Sequence, residues 1–298
     1  MFDFIGRRKI WYILSLLVII PGIISLFTQG LNLGIDFTGG NLMEFRFQED
    51  VTVDEIRNVL RDFGLERSPI QTSGERGAII RTRVLTEEEN GKVIAALQDN
   101  LGVEEVLRNE KVGPVIGKEL TRNALLALAI ASVLMLIYIS IRFEFKQGVA
   151  AVIALLHDVL ITLGVFSLFR LEVDSAFVAA ILTILGYSIN DTIIIFDRIR
   201  ENVRGPHKGE PLLDVINASL MQTLARSINT VLAVLFILLA LYFFGGATIK
   251  TLTLALLVGI TSGAYSSIFV ASPLWYEMKR FEDGGDSRPE GRLARARA

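Results

Sequence analysis

The stretch Ser175–Phe196, SAFVAAILTILGYSINDTIIIF, decides how the chain is read: it is long and apolar enough to cross a bilayer, yet it carries Asp191. About 20 apolar residues span the roughly 30 Å hydrocarbon core of a membrane. A carboxyl group placed there is costly, and by default it points to function. Its polar and small neighbours Thr183, Gly186, Tyr187 and Asn190, continuing to Asp197 and Arg198, recur every three or four residues, which places them on one helix face.

Arg226 stands at one end of another apolar run, Ser227–Phe244, with Ser219, Gln222, Thr223, Asn229 and Thr230 forming a second polar stripe. Two such stripes face each other or a hydrated cavity, not lipid. At helical rise Asp191 lies about 24 Å from Ser175, and Arg226 about 27 Å from Phe244, so the two reach similar depth. Burial favours a neutral carboxylic acid and a nearby guanidinium favours the carboxylate. An acid balanced between those influences exchanges a proton when the arginine moves away. The alternative reading is a static ion pair that fixes helix register, and the residues alone leave both open.

Outward from this pair, the apolar residues collect in six runs: Ile10–Phe27, Ala124–Ile141, Gly148–Phe169, Ser175–Phe196, Ser227–Phe244 and Thr251–Pro273. A hydrophobic fraction of 51% and a mean hydropathy of +0.49 exclude an ordinary soluble domain. Basic residues set the orientation. Arg7, Arg8 and Lys9 precede the first run; Arg142 and Lys146, then Arg198, Arg200, Arg204 and Lys208, follow the second and fourth; Lys279, Arg280, Arg288, Arg292, Arg295 and Arg297 follow the last. Both termini are therefore predicted to be cytosolic. The first run is too long for a signal-peptide core, and no A-x-A-like site follows it. With no cysteine there is no disulfide framework or thiolate metal site.

Residues 28–123 have a different composition, with 17 acidic and 12 basic residues between Thr28 and Arg122. The predicted order is strand Asn41–Gln48, helix Thr52–Phe63, strands Ser68–Thr72 and Ala78–Val84, helix Thr86–Leu101 and strand Glu104–Val112. Thr52 with Glu55 and Thr86 with Glu89 have capping-box spacing, and Gly64 and Gly102 end the helices. This βαββαβ order fits a ferredoxin-like α+β domain, placed on the extracytoplasmic side. Residues 282–298 are polar, Gly- and Arg-rich, and read as a disordered tail.

Further features carry candidate roles. Asp158, beside His157, lies about 15 Å into the third run, with Thr162 one turn on; His157 reads as a packed histidine, since no metal-ligand spacing accompanies it. Gly259 and Gly263 have small-xxx-small spacing, and with Ser262, Ser266 and Ser267 they read as a helix-packing face. Gly34-Ile-Asp-Phe-Thr-Gly-Gly40 is a turn-rich junction and lacks the G-K-[ST] ending of a P-loop. No nucleotide, cofactor, metal or enzymatic motif is found.

The junction motif, Leu156-His-Asp-Val-Leu160, Gly186-Tyr-Ser-Ile-Asn-Asp-Thr192 running into Phe196-Asp-Arg-Ile-Arg-Glu-Asn202, and Asn217-Ala-Ser-Leu-Met-Gln-Thr-Leu-Ala-Arg-Ser227 resemble the SecF family of protein-export membrane subunits. Nearly the whole chain is covered. The resemblance implies half of a resistance-nodulation-division type transporter, with SecD as heterodimeric partner. It further implies use of proton-motive force to drive preproteins leaving the SecYEG channel of the bacterial inner membrane. By resemblance Asp191 is the proton-carrying acid, Arg226 its partner, and Asp158 and Asn190 supporting polar residues. The end of the chain after the sixth run implies an unfused member, with the larger substrate-capturing domain on SecD.

The expected organisation is 1–27 (cytosolic N-terminus and first span), 28–123 (outer domain), 124–278 (five-span bundle) and 279–298 (tail). Asp36, Gly39, Gly40, Gly113, Pro114 and Gly117 are the expected junction, the last three as hinges. A self-contained small-molecule/proton antiporter of the same superfamily and a non-transporting assembly scaffold are the competing readings.

Overall fold

A computed structural model describes residues 2–74, 76–142, 144–205, 207, 209–246 and 249–282. Six helices are long and apolar enough to cross a membrane. The chain divides into two compact units, residues 1–32, 128–171 and 176–298 in one, and residues 33–127 with 172–175 in the other.

The first unit is a helical bundle. Helix α1 covers Arg8–Thr28. Ahead of it the N-terminal segment is pinned by Asn217, whose Oδ1 accepts from the backbone N–H groups of Phe4 and Ile5 at 3.0 and 3.1 Å. Helices α6 (Phe145–Leu168), α7 (Ser175–Arg204), α8 (Leu212–Phe244) and α9 (Lys250–Ser266) follow, and α5 (Pro114–Arg142) precedes them. Small residues set the closest approaches. A Cβ at Gly22 would lie 2.7 Å from the Gly164 Cα, so α1 and α6 cross at their backbones, with Ser25 and Ser167 hydrogen-bonded at 2.7 Å beside the crossing. A Cβ at Gly259 would lie 2.1 Å from Ile184, so α9 and α7 approach closely at this glycine.

The last span is not one regular helix. After α9 the chain passes through a π-helical turn, Ser267–Ala271, and continues as α10, Ser272–Glu282. Pro273 has no N–H to give to the preceding turn, which favours a local change of helical register here. The Ser272 hydroxyl donates to the Ser267 carbonyl at 3.1 Å across that turn.

The second unit is an α+β sandwich. Strands β2 (Gly40–Phe47), β3 (Ile70–Ser73), β4 (Gly77–Thr82) and β5 (Val103–Val112) form an antiparallel sheet in the order β3-β4-β2-β5. With helices α3 (Val53–Arg61) and α4 (Glu87–Leu101) this is the ferredoxin-like topology. Met43, Phe45, Phe47 and Ile80 from the sheet pack on Ile56, Leu60, Val93 and Leu97 from the helices. Both capping boxes form, Thr52 with Glu55 and Thr86 with Glu89, and Gly102 closes α4 in the left-handed conformation that glycine adopts at least cost.

Three expectations need correction. Helix α5 begins at Pro114, ten residues before the expected span, because proline is well suited to a first helical position where no N–H bond is needed. Pro114 and Gly117 therefore lie inside a helix and not in an open hinge. A Cβ at Gly117 would stand 2.9 Å from the Phe37 carbonyl oxygen, so this glycine packs on the short helix α2 (Ile35–Thr38). Residues 279–282 belong to α10, with Lys279 3.5 Å from Glu144; the expected disorder of the remaining tail lies outside the described residues.

Candidate functional site

Helices α7 and α8 bring Asp191 and Arg226 to one cavity of about 90 Å³, as the two polar stripes predict. Tyr187, Asn190 and Thr230 line it from the same stripes, and Ser188 and Gly263 complete the wall near Asp191. Arg226 shares the cavity without making a direct ion pair with Asp191 among the described residues.

Asp191 is asymmetric. Its Oδ1 accepts a hydrogen bond from the Ser227 hydroxyl at 2.6 Å. Its Oδ2 is buried and has no hydrogen-bond partner among the described residues. An unpartnered carboxylate oxygen away from water is costly, and either a proton on that oxygen or an approaching cation removes the cost. The cavity supplies room for the guanidinium to move relative to the acid. Ser227 was not singled out by sequence; its place one residue after Arg226 was the available signal.

Asp158 is the opposite case. It is completely buried, and each oxygen accepts two hydrogen bonds. Oδ1 takes Ser262 at 2.7 Å and His157 Nδ1 at 3.0 Å, while Oδ2 takes Ser188 at 2.6 Å and Ser266 at 2.8 Å. The carboxylate is thus tied to α7 and α9 as well as to its own helix. His157 Nε2 lies 3.0 Å from Ser15 Oγ on α1; Ser15 donates to Tyr265 at 3.4 Å, and Tyr265 donates to the Trp11 carbonyl at 2.7 Å. His157 therefore bridges Asp158 and Ser15 through its two ring nitrogens. Asp158 does not line the Asp191 cavity, but Ser188 touches both. The serines of the small-residue face on α9 therefore hold a buried acid as well as permitting close packing, a role that glycine spacing alone does not reveal. His157 is a packed histidine inside this network.

The glycine-rich junction has a defined job. Asp36 Oδ2 accepts from the backbone N–H of Ser175 at 2.8 Å, capping the first turn of α7, the helix that carries Asp191. Gly34 N–H donates to the Val173 carbonyl at 2.8 Å, and Arg81 pairs with Glu172. Gly39 and Gly40 have φ of 73° and 139°, and a Cβ at Gly40 would come within 2.4 Å of the Thr82 carbonyl oxygen, so neither position accepts a side chain without strain. Gly113 has open space around it.

The family described as "Protein export membrane protein SecD/SecF, C-terminal" matches residues 92–281, and the "SecD/SecF GG Motif" matches residues 24–51, which include Gly39 and Gly40. A protein translocase subunit SecF from Sebaldella termitidis is 44% identical over 294 residues, covering 97% of this chain and 96% of that one. The protein translocase subunit SecDF of Bacillus subtilis is 42% identical across 96% of this chain, which spans 39% of that longer protein. The crystal structure of SecDF from Thermus, titled a translocon-associated membrane protein, superposes with a TM-score of 0.87 at 37% identity, covering 94% of this chain and 39% of that one. A polar, acid-bearing cavity between α7, α8 and α9, a glycine-pair junction whose Asp36 caps α7, and these matches lead to one conclusion: the chain belongs to the SecD/SecF family of protein-export membrane proteins.

Proposed function

We propose that this chain is the SecF-type subunit of a bacterial preprotein translocase and that, with a SecD partner, it couples proton-motive force to late steps of export through SecYEG. The observation that carries the coupling reading is the buried, unpartnered Oδ2 of Asp191 beside a cavity that Arg226 also lines, with no ion pair between the two among the described residues. Protonation of Oδ2 removes the charge that attracts the guanidinium, and loss of the proton restores it. One charge moving through 100 mV is worth about 2.3 kcal/mol, which biases a two-state element by up to roughly fifty-fold.

Within this reading the chain lies in the inner membrane with both termini in the cytosol and the α+β unit outside. Helix α7 is the mechanical link. Its first turn is gripped by Asp36 of the α+β unit, and sixteen residues further along the same helix carries Asp191. In this reading a shift of α7 on protonation is passed along the helix towards Ser175. Asp36 and Gly117 serve as fixed points of the junction, with Gly113 as the remaining place for a bend.

The test is gradient-dependent export of a preprotein by inverted vesicles that contain the matching partner subunits, comparing the wild type with Asp36→Ala. The proposal expects the variant to assemble and to lose most of the gradient-dependent component. Full retention of that component would remove α7 as the link. A non-transporting scaffold would export equally well with or without the gradient.

A further inference from the structure

A second cavity, of about 360 Å³, opens where α5, α6, α7, α8 and α10 end together, far along α7 from Ser175. Arg142, Arg200, Arg204 and Lys279 line it, against one acid, Glu144. Arg200 reaches only the Arg142 carbonyl, at 3.4 Å, and Arg204 makes no ion pair among the described residues. Ile199, Val203, Leu212 and Trp275 form an apolar wall beside this basic rim. Trp275 is only 4% exposed, and its buried Nε1–H has no acceptor among the described residues. An indole donor buried in that way costs free energy unless something else accepts its hydrogen bond. Helix α8 adds a start at Leu212 that has no side-chain cap.

We infer that this cavity binds the phosphate of an anionic phospholipid, with Arg200 and Arg204 pairing with its oxygens and Trp275 Nε1–H donating to it. Guanidinium groups match phosphate oxygens in pairs, and an indole suits the level where hydrocarbon meets headgroups. The same anion chemistry is offered by free phosphate. The apolar wall and the position at the ends of the membrane-length helices α5, α6, α7 and α8 favour a lipid, whose acyl chains continue along the hydrocarbon. The inference does not depend on Asp191; the proposed orientation fixes only the leaflet, which would be the cytosolic one.

The test is thermal unfolding of the full purified chain in detergent, titrated separately with phosphatidylglycerol, phosphatidylcholine and inorganic phosphate. Phosphatidylglycerol is expected to raise the midpoint, with phosphatidylcholine and millimolar phosphate having little effect. Arg200→Gln/Arg204→Gln, changed where side chains meet the surface, should raise the half-saturating concentration of phosphatidylglycerol at least tenfold. Trp275→Phe keeps an aromatic ring, removes the donor and should raise it severalfold. Equal stabilisation by phosphatidylcholine would show that no headgroup charge is read, and saturation by phosphate alone would assign the site to a soluble anion. Unchanged phosphatidylglycerol titration of the double arginine variant would overturn the site outright.

Discussion

Asp191, half-buried, and Asp158, completely buried, are acids on neighbouring helices with opposite hydrogen-bond environments. Asp158, with four donors, is a structural centre that joins helices. Removing it strands three hydroxyls and an imidazole, so Asp158→Ala should lower bundle stability by about 3–5 kcal/mol, read as a fall in the thermal midpoint of the purified chain. A midpoint within a degree of wild type would contradict that role. Ser227 gives Asp191 its one hydrogen bond. Ser227→Ala should leave assembly unchanged and reduce gradient-driven export severalfold, with a displaced pH profile; an unaltered profile would show that the bond does not tune the acid. Asp191 and Arg226 were readable in sequence, since an ionisable group inside an apolar run has few bland explanations. The serines were not, because a serine in a membrane helix commonly bonds its own backbone, as Ser219 does to the Val215 carbonyl.

Helices and strands followed local rules where those rules act alone. Both capping boxes and the glycine stop at Gly102 were legible from spacing, and so was the βαββαβ order of elements. Glu89 shows what a capping box does electrostatically: hydrogen bonds from the Arg83 side chain and the Thr86 backbone hold its carboxyl down at about 2. A group with a lowered folded-state value stabilises the fold above its unfolded value, about 4.3, and loses that contribution as pH falls towards 2. Hydrogen exchange at the start of α4 should therefore quicken, relative to its intrinsic rate, between those values, and Thr86→Ala should remove about 1 kcal/mol of protection at neutral pH. No change in protection with either perturbation would contradict the capping account. The start of α5 was misread because hydropathy marks the membrane-length part of a helix, whereas Pro114 marks where the helix begins. Gly259 faces Ile184 so closely that Gly259→Ala should cost about 1–3 kcal/mol. Combined with Ile184→Ala, the loss should be smaller than the sum of the two single variants; strict additivity would place the glycine elsewhere.

The chain crosses between the helical bundle and the α+β unit at four places, after Asn32, Ala127, Leu171 and Ser175; two matter here, the α5 junction that follows β5 and the Glu172–Ser175 segment into α7. The first was legible in the sequence as a junction. The second was not, since nothing in the chain pattern shows that Asp36 caps a helix that starts 139 residues later. The proposed orientation is directly checkable because the chain has no cysteine of its own. A membrane-impermeant maleimide should label Glu88→Cys from the outer face of the membrane, and Arg280→Cys only after the membrane is opened. The reverse pattern would invert the orientation. The central claim, that Asp191 is the coupling acid, is tested most directly by Asp191→Asn, which keeps the shape and removes ionisation. Measured in inverted vesicles with the partner subunits present, the variant should assemble and lose the gradient-dependent part of preprotein export while retaining the rest. Export that still responds fully to the proton gradient would show Asp191 to be structural and contradict the account.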